Sequence, residues 1–179
     1  AVNKPRGIVC TEERRERDSI VRFLNYPVRI TYVGRLDKDS EGLLLMTNNG
    51  DIINRMMRAA NKHEKEYKVT VDKPVTDEFL KEMAGGVPIL DTVTRPCQVE
   101  KLGKYKFKII LTQGLNRQIR RMCEALGYEV KELRRVRIMN IELGNLKPGE
   151  YRKVTDQELN ELYELIRDSK SEPTPWNNN

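Results

Sequence analysis

The sequence predicts an α+β (mixed α/β) domain with a largely antiparallel central sheet flanked by helices and a cleft between the layers. Short segments that alternate or run apolar over four to seven residues read as strands. Between them stand stretches with apolar residues at helical spacing and clear end signals. The two kinds are interspersed without the strict strand–helix–strand rhythm of an all-parallel sheet.

Taken in order, the opening "AVNKPRGIVC" reads as a strand, and "RITYV" and "GLLLMT" as two more. A helix is predicted over 51–60, where Ile52, Ile53, Met56 and Met57 line one face. In "EYKVTV" the alternation puts Tyr67, Val69 and Val71 on one strand face. The helix of "TDEFLKEMAGG" opens at Thr76 and closes on Gly85 and Gly86, with Phe79, Leu80 and Met83 inward. "FKIIL" and "RIMNIEL" are strands, separated by the helix "NRQIRRMCEALG". The last helix, "TDQELNELYELI", starts on a Thr155/Glu158 capping box and buries Leu159, Leu162, Tyr163 and Ile166. Residues 1–168 read as one domain, long enough to bury a core, and 169–179 as a disordered, polar, Pro-bearing tail that holds the lone Trp176.

The 33 Lys and Arg against 27 Asp and Glu give a net charge of +6, which favours a polyanionic partner, nucleic acid above all. Cys10, Cys97 and Cys123 are odd in number and far apart, and read as reduced thiols of a cytoplasmic protein. No apolar run approaches the roughly 20 residues needed to cross a bilayer, so no membrane partner is expected.

Three groups of residues could carry chemistry. In "GRLDKDSEG" three carboxylates, Asp37, Asp39 and Glu41, fall within five residues just before an apolar run. They could form a solvated turn, a DxD cation site, or an acid and base for glycoside cleavage. Aromatics at 6% of the chain are few for stacking on sugars, and no further His or Asp cluster supports a metal. In the helix "NRQIRRMCEALG", Ile119, Met122, Cys123 and Leu126 share a face, and Arg117 and Arg121 point the opposite way. Arg120 falls at the margin. Either all three arginines are solvated, or Arg117 and Arg121 meet phosphates while Arg120 reaches inward to a buried acid. Lys131, Arg134 and Arg135 of "KELRRVR" add to a phosphate-binding density. Tyr67 is either a core aromatic or a platform for an unstacked base. His63, the sole histidine, reads as a surface residue.

"GRLDKDSEGLLLMTNNGD", "KEYKVTV" and "GLNRQIRRMCEALGYEVKELRRVRI", in this order, resemble the bacterial ribosomal RNA pseudouridine synthases of the RsuA type. The resemblance runs nearly the whole chain apart from the tail, nearest to members that act on the large subunit. It implies the pseudouridine synthase fold and isomerisation of a uridine in 23S ribosomal RNA, in a stem-loop or another structured RNA, by base flipping. It also implies no cofactor and no metal, because the reaction neither gains nor loses atoms or electrons, and a monomer. The catalytic residue carried over is Asp37. The supporting residues are Tyr67 as stacking ring, Arg120 as the partner of Asp37, Leu133 as apolar neighbour of the base, and Arg35 as an aid in displacing it. The small S4-like RNA-binding domain that usually precedes the catalytic one has no counterpart in the sequence. The rival readings are a non-catalytic RNA-binding or ribosome-assembly module of the same fold, and a metal-dependent phosphotransfer enzyme using Asp37 and Asp39.

Overall fold

The computed structural model describes residues 1–167, so the tail expected over 169–179 lies outside the described residues. In chain order the elements are β1 (Val2–Lys4), α1 (Ile20–Leu24), β2 (Thr31–Val33), β3 (Glu41–Thr47), α2 (Gly50–Ala59), β4 (Lys65–Val71), α3 (Asp77–Gly85), β5 (Pro88–Ile89), β6 (Thr92–Val93), β7 (Gln98–Gly103), β8 (Lys106–Leu111), α4 (Gln118–Ala125), β9 (Val130–Ile138), β10 (Ile141–Glu142) and α5 (Asp156–Ile166). The main sheet runs β1-β3-β9-β4-β8-β7, with β2 added to β3 and β10 to β9. Every pairing in it is antiparallel except β3 with β9. The mixed, largely antiparallel sheet predicted from sequence is therefore present.

The pattern of each strand explains its place. In β4 burial alternates without a break, so Lys65, Tyr67, Val69 and Val71 point into the protein while Glu66, Lys68 and Thr70 are less covered. The continuous run of β3 is buried on both faces. Leu43 and Leu45 join a cluster with Ile52, Met56, Leu162 and Ile166 of α2 and α5, whereas Leu44 packs with Val2, Cys10, Ile20 and Leu36. A third cluster joins Tyr67, Val69 and Leu133 to Phe79 and Met83 of α3 and to Ile119, Met122 and Cys123 of α4.

The helix ends are built as their sequences require. Thr76 accepts from the Phe79 N–H at 3.0 Å, and Asn49 caps α2. Thr155 and Glu158 form the reciprocal capping box. Besides the short β5–β6 hairpin, two elements escape the sequence pattern. β7 is an edge strand with a largely exposed face, and α1 is a five-residue helix started by Ser19 and stopped by left-handed Asn25. Neither has enough periodic apolar residues to declare itself.

Candidate active site

The turn that launches β3 carries the acids, and it is fixed from several sides. Leu36 is fully buried and directs its N–H at Cys10 Sγ, 3.4 Å away. The Ser40 N–H donates to the Asp37 carbonyl at 3.0 Å, closing the turn, and the Gly7 N–H donates to the Lys38 carbonyl at 2.7 Å. Gly42 has φ +112°, and a Cβ there would lie 2.2 Å from the Arg135 carbonyl oxygen. Only glycine allows β3 to approach β9 this closely. Asp37 is left half-buried, its side chain 19% exposed, with Asp39 at 40%.

The other half of the site is the N-terminal end of α4. The helix begins at Gln118, whose Oε1 accepts the Leu115 N–H at 3.1 Å. Arg117 precedes it in a left-handed conformation (φ 48°, ψ 39°) that few non-glycine residues adopt. That backbone turns the guanidinium toward the acids. Nη1 donates to Asp37 Oδ2 at 3.0 Å and to Asp39 Oδ1 at 3.1 Å, and Nη2 donates to Asp39 Oδ2 at 2.9 Å. The Arg117 guanidinium holds Asp39 below the ordinary carboxylate range, and Asp39 in turn raises Arg117.

This corrects the sequence expectation, which paired Asp37 with Arg120 and sent Arg117 to phosphates. A helical wheel assigns Arg117 a direction that holds only for helical backbone, and Arg117 is not helical. Arg120 does lie at the buried margin, as the wheel has it. It works one layer behind: its Nη2 donates to the Asp39 carbonyl at 3.0 Å and to Ser40 Oγ at 3.1 Å, and stands 3.6 Å from Asp39 Oδ1. It feels the charge of Asp37 through space, and burial lowers its pKa.

Tyr67 sits on β4 opposite Arg135 of β9, which in turn lies opposite Gly42 of β3, so the ring is placed two strands from the acid turn. It is 0% exposed, and its hydroxyl is buried with no hydrogen-bond partner among the described residues. Leu133, opposite Val69, is buried in the same cluster. Arg35 is exposed at the rim of the acid turn.

Among the basic residues expected to face RNA, Arg135 is a second correction beside Arg117. It is fully buried, donates from Nε to the Leu43 carbonyl at 2.9 Å and from Nη1 to the Arg35 carbonyl at 3.4 Å, and so clasps both ends of the acid turn. Strand parity explains the correction: Arg135 shares the inward face with Leu133, and Arg134 takes the outward one. Arg134 pairs with Glu41 at 3.3 Å, Lys131 with Glu129 at 3.2 Å, and Arg121 donates to the Asn116 carbonyl and side chain at 3.0 and 2.9 Å.

Lys4 was not singled out by sequence. It is fully buried and donates to the Pro5 and Ile8 carbonyls at 2.9 and 2.7 Å, pinning the segment that carries Gly7. Burial pushes it down to about 8, partly offset by Cys10, Asp37, Asp39 and Glu41. A lysine beside a proline-glycine turn was its only signal. Among the described residues no group of three or more His, Cys, Asp or Glu could hold a metal ion. No helix among them is long and apolar enough to cross a membrane.

Comparison with known proteins follows the same lines. Residues 1–125 match the family model described as RNA pseudouridylate synthase. The dual-specificity RNA pseudouridine synthase RluF of Escherichia coli strain K12 is 58% identical over 175 residues, covering 98% of this chain and 60% of that protein. The ribosomal small subunit pseudouridine synthase A of Yersinia pestis is 36% identical over 163 residues, covering 88% of this chain and 69% of that protein. A crystal structure of a pseudouridylate synthase superposes with a TM-score of 0.81 at 34% identity, covering 90% of this chain and 71% of that one. The chain thus spans 60% of the length of RluF.

Proposed function

This chain belongs to the RNA pseudouridylate synthase family, and we propose that it isomerises a uridine of large-subunit ribosomal RNA to pseudouridine with Asp37 as the catalytic carboxylate. The observation that carries the reading is the half-buried Asp37 carboxylate, held 3.0 Å from the Arg117 guanidinium at the head of a strand two places from the one that bears Tyr67. The 58% identity to RluF supports an RNA substrate, and the word dual-specificity in that protein's name makes a second RNA worth testing.

In this reaction the N1–C1′ bond breaks, the uracil turns, C5 joins C1′, and the proton from C5 is lost as N1 gains one. Atoms and electrons balance without a co-reactant. The target base lies within folded RNA and must be extruded, at a cost of a few kcal/mol. Asp37 acts on the ribose, as nucleophile at C1′ or as base at C2′. Arg117 places a fixed positive charge beside it, worth more in a half-dry turn than in water. Tyr67 and Leu133 form the apolar floor for the uracil. Since the ring of Tyr67 is covered, the base reaches it by displacing the atoms above it. Arg35, at the exposed rim, assists the displacement. Arg121, Lys131 and Arg134 carry the phosphate path. The reading goes with a monomer working in the cytoplasm on structured RNA such as a stem-loop.

The test uses 23S ribosomal RNA tritiated at uridine C5, from which pseudouridine formation releases the label. The chain releases tritium, and Asp37→Asn lowers release by at least about a thousandfold while RNA still binds. Binding without release by the unsubstituted chain favours the rival, a non-catalytic RNA module. Turnover by Asp37→Asn near that of the parent removes Asp37 from the chemistry.

A further inference from the structure

Three N–H···O contacts leave Arg117 toward the acid turn, and they are unequally shared. Asp39 receives one from each terminal nitrogen, at 3.1 and 2.9 Å, and Asp37 receives one, at 3.0 Å. We infer that Asp39 is a positioning residue for the reaction: it occupies the fork of Arg117 and so keeps that guanidinium from closing both arms on Asp37.

A guanidinium offered a single carboxylate prefers two parallel bonds to it, which are stronger and more directional than one. Asp37 in that embrace would have both oxygens engaged and would have to break a charge-assisted bond before touching ribose. Two residues on, Asp39 competes for the same fork and takes it. Its position is no accident of a solvated turn. Arg120, buried behind it, donates to the Asp39 carbonyl at 3.0 Å and to Ser40 Oγ at 3.1 Å, which fixes the backbone from which the Asp39 carboxylate projects. The same nitrogen stands 3.6 Å from Asp39 Oδ1. Arg117 is equally constrained by its left-handed backbone at the mouth of α4. The arrangement is a guanidinium divided between a working acid and a holding acid. The inference rests on the reading of Asp37 as the catalytic carboxylate.

Asp39→Asn and Asp39→Glu, made in the full chain, test it by the tritium-release kinetics. Asparagine offers one weak acceptor oxygen, so Arg117 closes on Asp37. The kcat falls roughly 10- to 100-fold while KM stays within about twofold. Asp39→Glu, which can still occupy the fork, recovers part of the loss. In an Arg117→Lys background, where no fork exists, Asp39→Asn costs little more. A kcat within threefold of the parent, a loss confined to RNA affinity, or additivity with Arg117→Lys would each overturn the inference. If Asp39→Asn folds poorly, the Asp39→Glu recovery decides alone, and its absence counts against the inference. Inert Asp37→Asn beside fully active Asp39→Asn refutes only this inference. Active Asp37→Asn refutes the catalytic reading beneath it.

Discussion

Arg152 and Arg117 both face carboxylates with two arms, and the surroundings make them different devices. Arg152 grips Glu158 with both terminal nitrogens, at 2.7 and 2.9 Å, and spends its remaining contacts on the Lys153 and Glu142 carbonyls. Glu158 also accepts from the Thr155 N–H at 2.9 Å as part of the capping box. The pair is built into the capping box, so it stabilises the start of α5. Arg117 instead reaches across about eighty residues of sequence to acids it must divide, from a backbone conformation that is itself unfavourable. Guanidinium–carboxylate chemistry alone therefore does not mark a site. The two pairs are about equally exposed, and what sets Arg117 apart is that it is shared between two acids and held by an unfavourable backbone.

Substituting the two arginines alike sharpens the contrast most. Arg117→Lys keeps the charge and loses the fork, and is expected to cut kcat by 10²–10³-fold with little change in melting temperature. Arg152→Lys is expected to leave tritium release unchanged and to lower stability. Equal kinetic losses in both would dissolve the distinction.

A smaller effect is expected from Glu158→Gln. The Arg152 guanidinium holds Glu158 down to about 2, against an ordinary value of 4.5. A carboxyl lowered in the folded state adds stability above pH 4.5 that is lost as pH falls toward 2. Removing it costs about 1 kcal/mol at pH 7, as for a lost cap, since the pair is partly solvated. The two proteins then converge by the low end of that window. Denaturant unfolding at several pH values checks this; a gap that persists at low pH would assign the stabilisation to packing instead.

The smallest effect belongs to Arg121→Ala, whose guanidinium is occupied by Asn116. RNA affinity should fall modestly, and the slope of log affinity against log salt by less than one unit, with kcat unchanged. A loss of kcat would move Arg121 from the phosphate path into the site.

The apolar stripe of α4 was legible because Ile119, Met122 and Cys123 obey one period, and the acid turn stood out as three carboxylates within five residues. The capping box at Thr155 and the glycines closing α3 were legible for the same reason: each signal lies within a turn or two of the residue it governs. The hairpin of β5 and β6 and the edge strand β7 were not, since their residues are largely exposed and pair with only one neighbour. Arg135 was misjudged as facing RNA because "LRRVR" gives the charges without saying which strand face is covered.

By itself the sequence determined the mixed fold, the ends of α3 and α5, the acid turn that holds Asp37 and the net positive charge. These follow from nearest-neighbour periodicity, end signals and composition. Which guanidinium meets that acid was decided by tertiary structure alone. The direction of Arg117 depends on one left-handed residue at the mouth of α4, and the burial of Arg135 on Gly42 letting β3 press against β9. A period read along one element carries no information about a residue just outside it, or about what a partner strand covers.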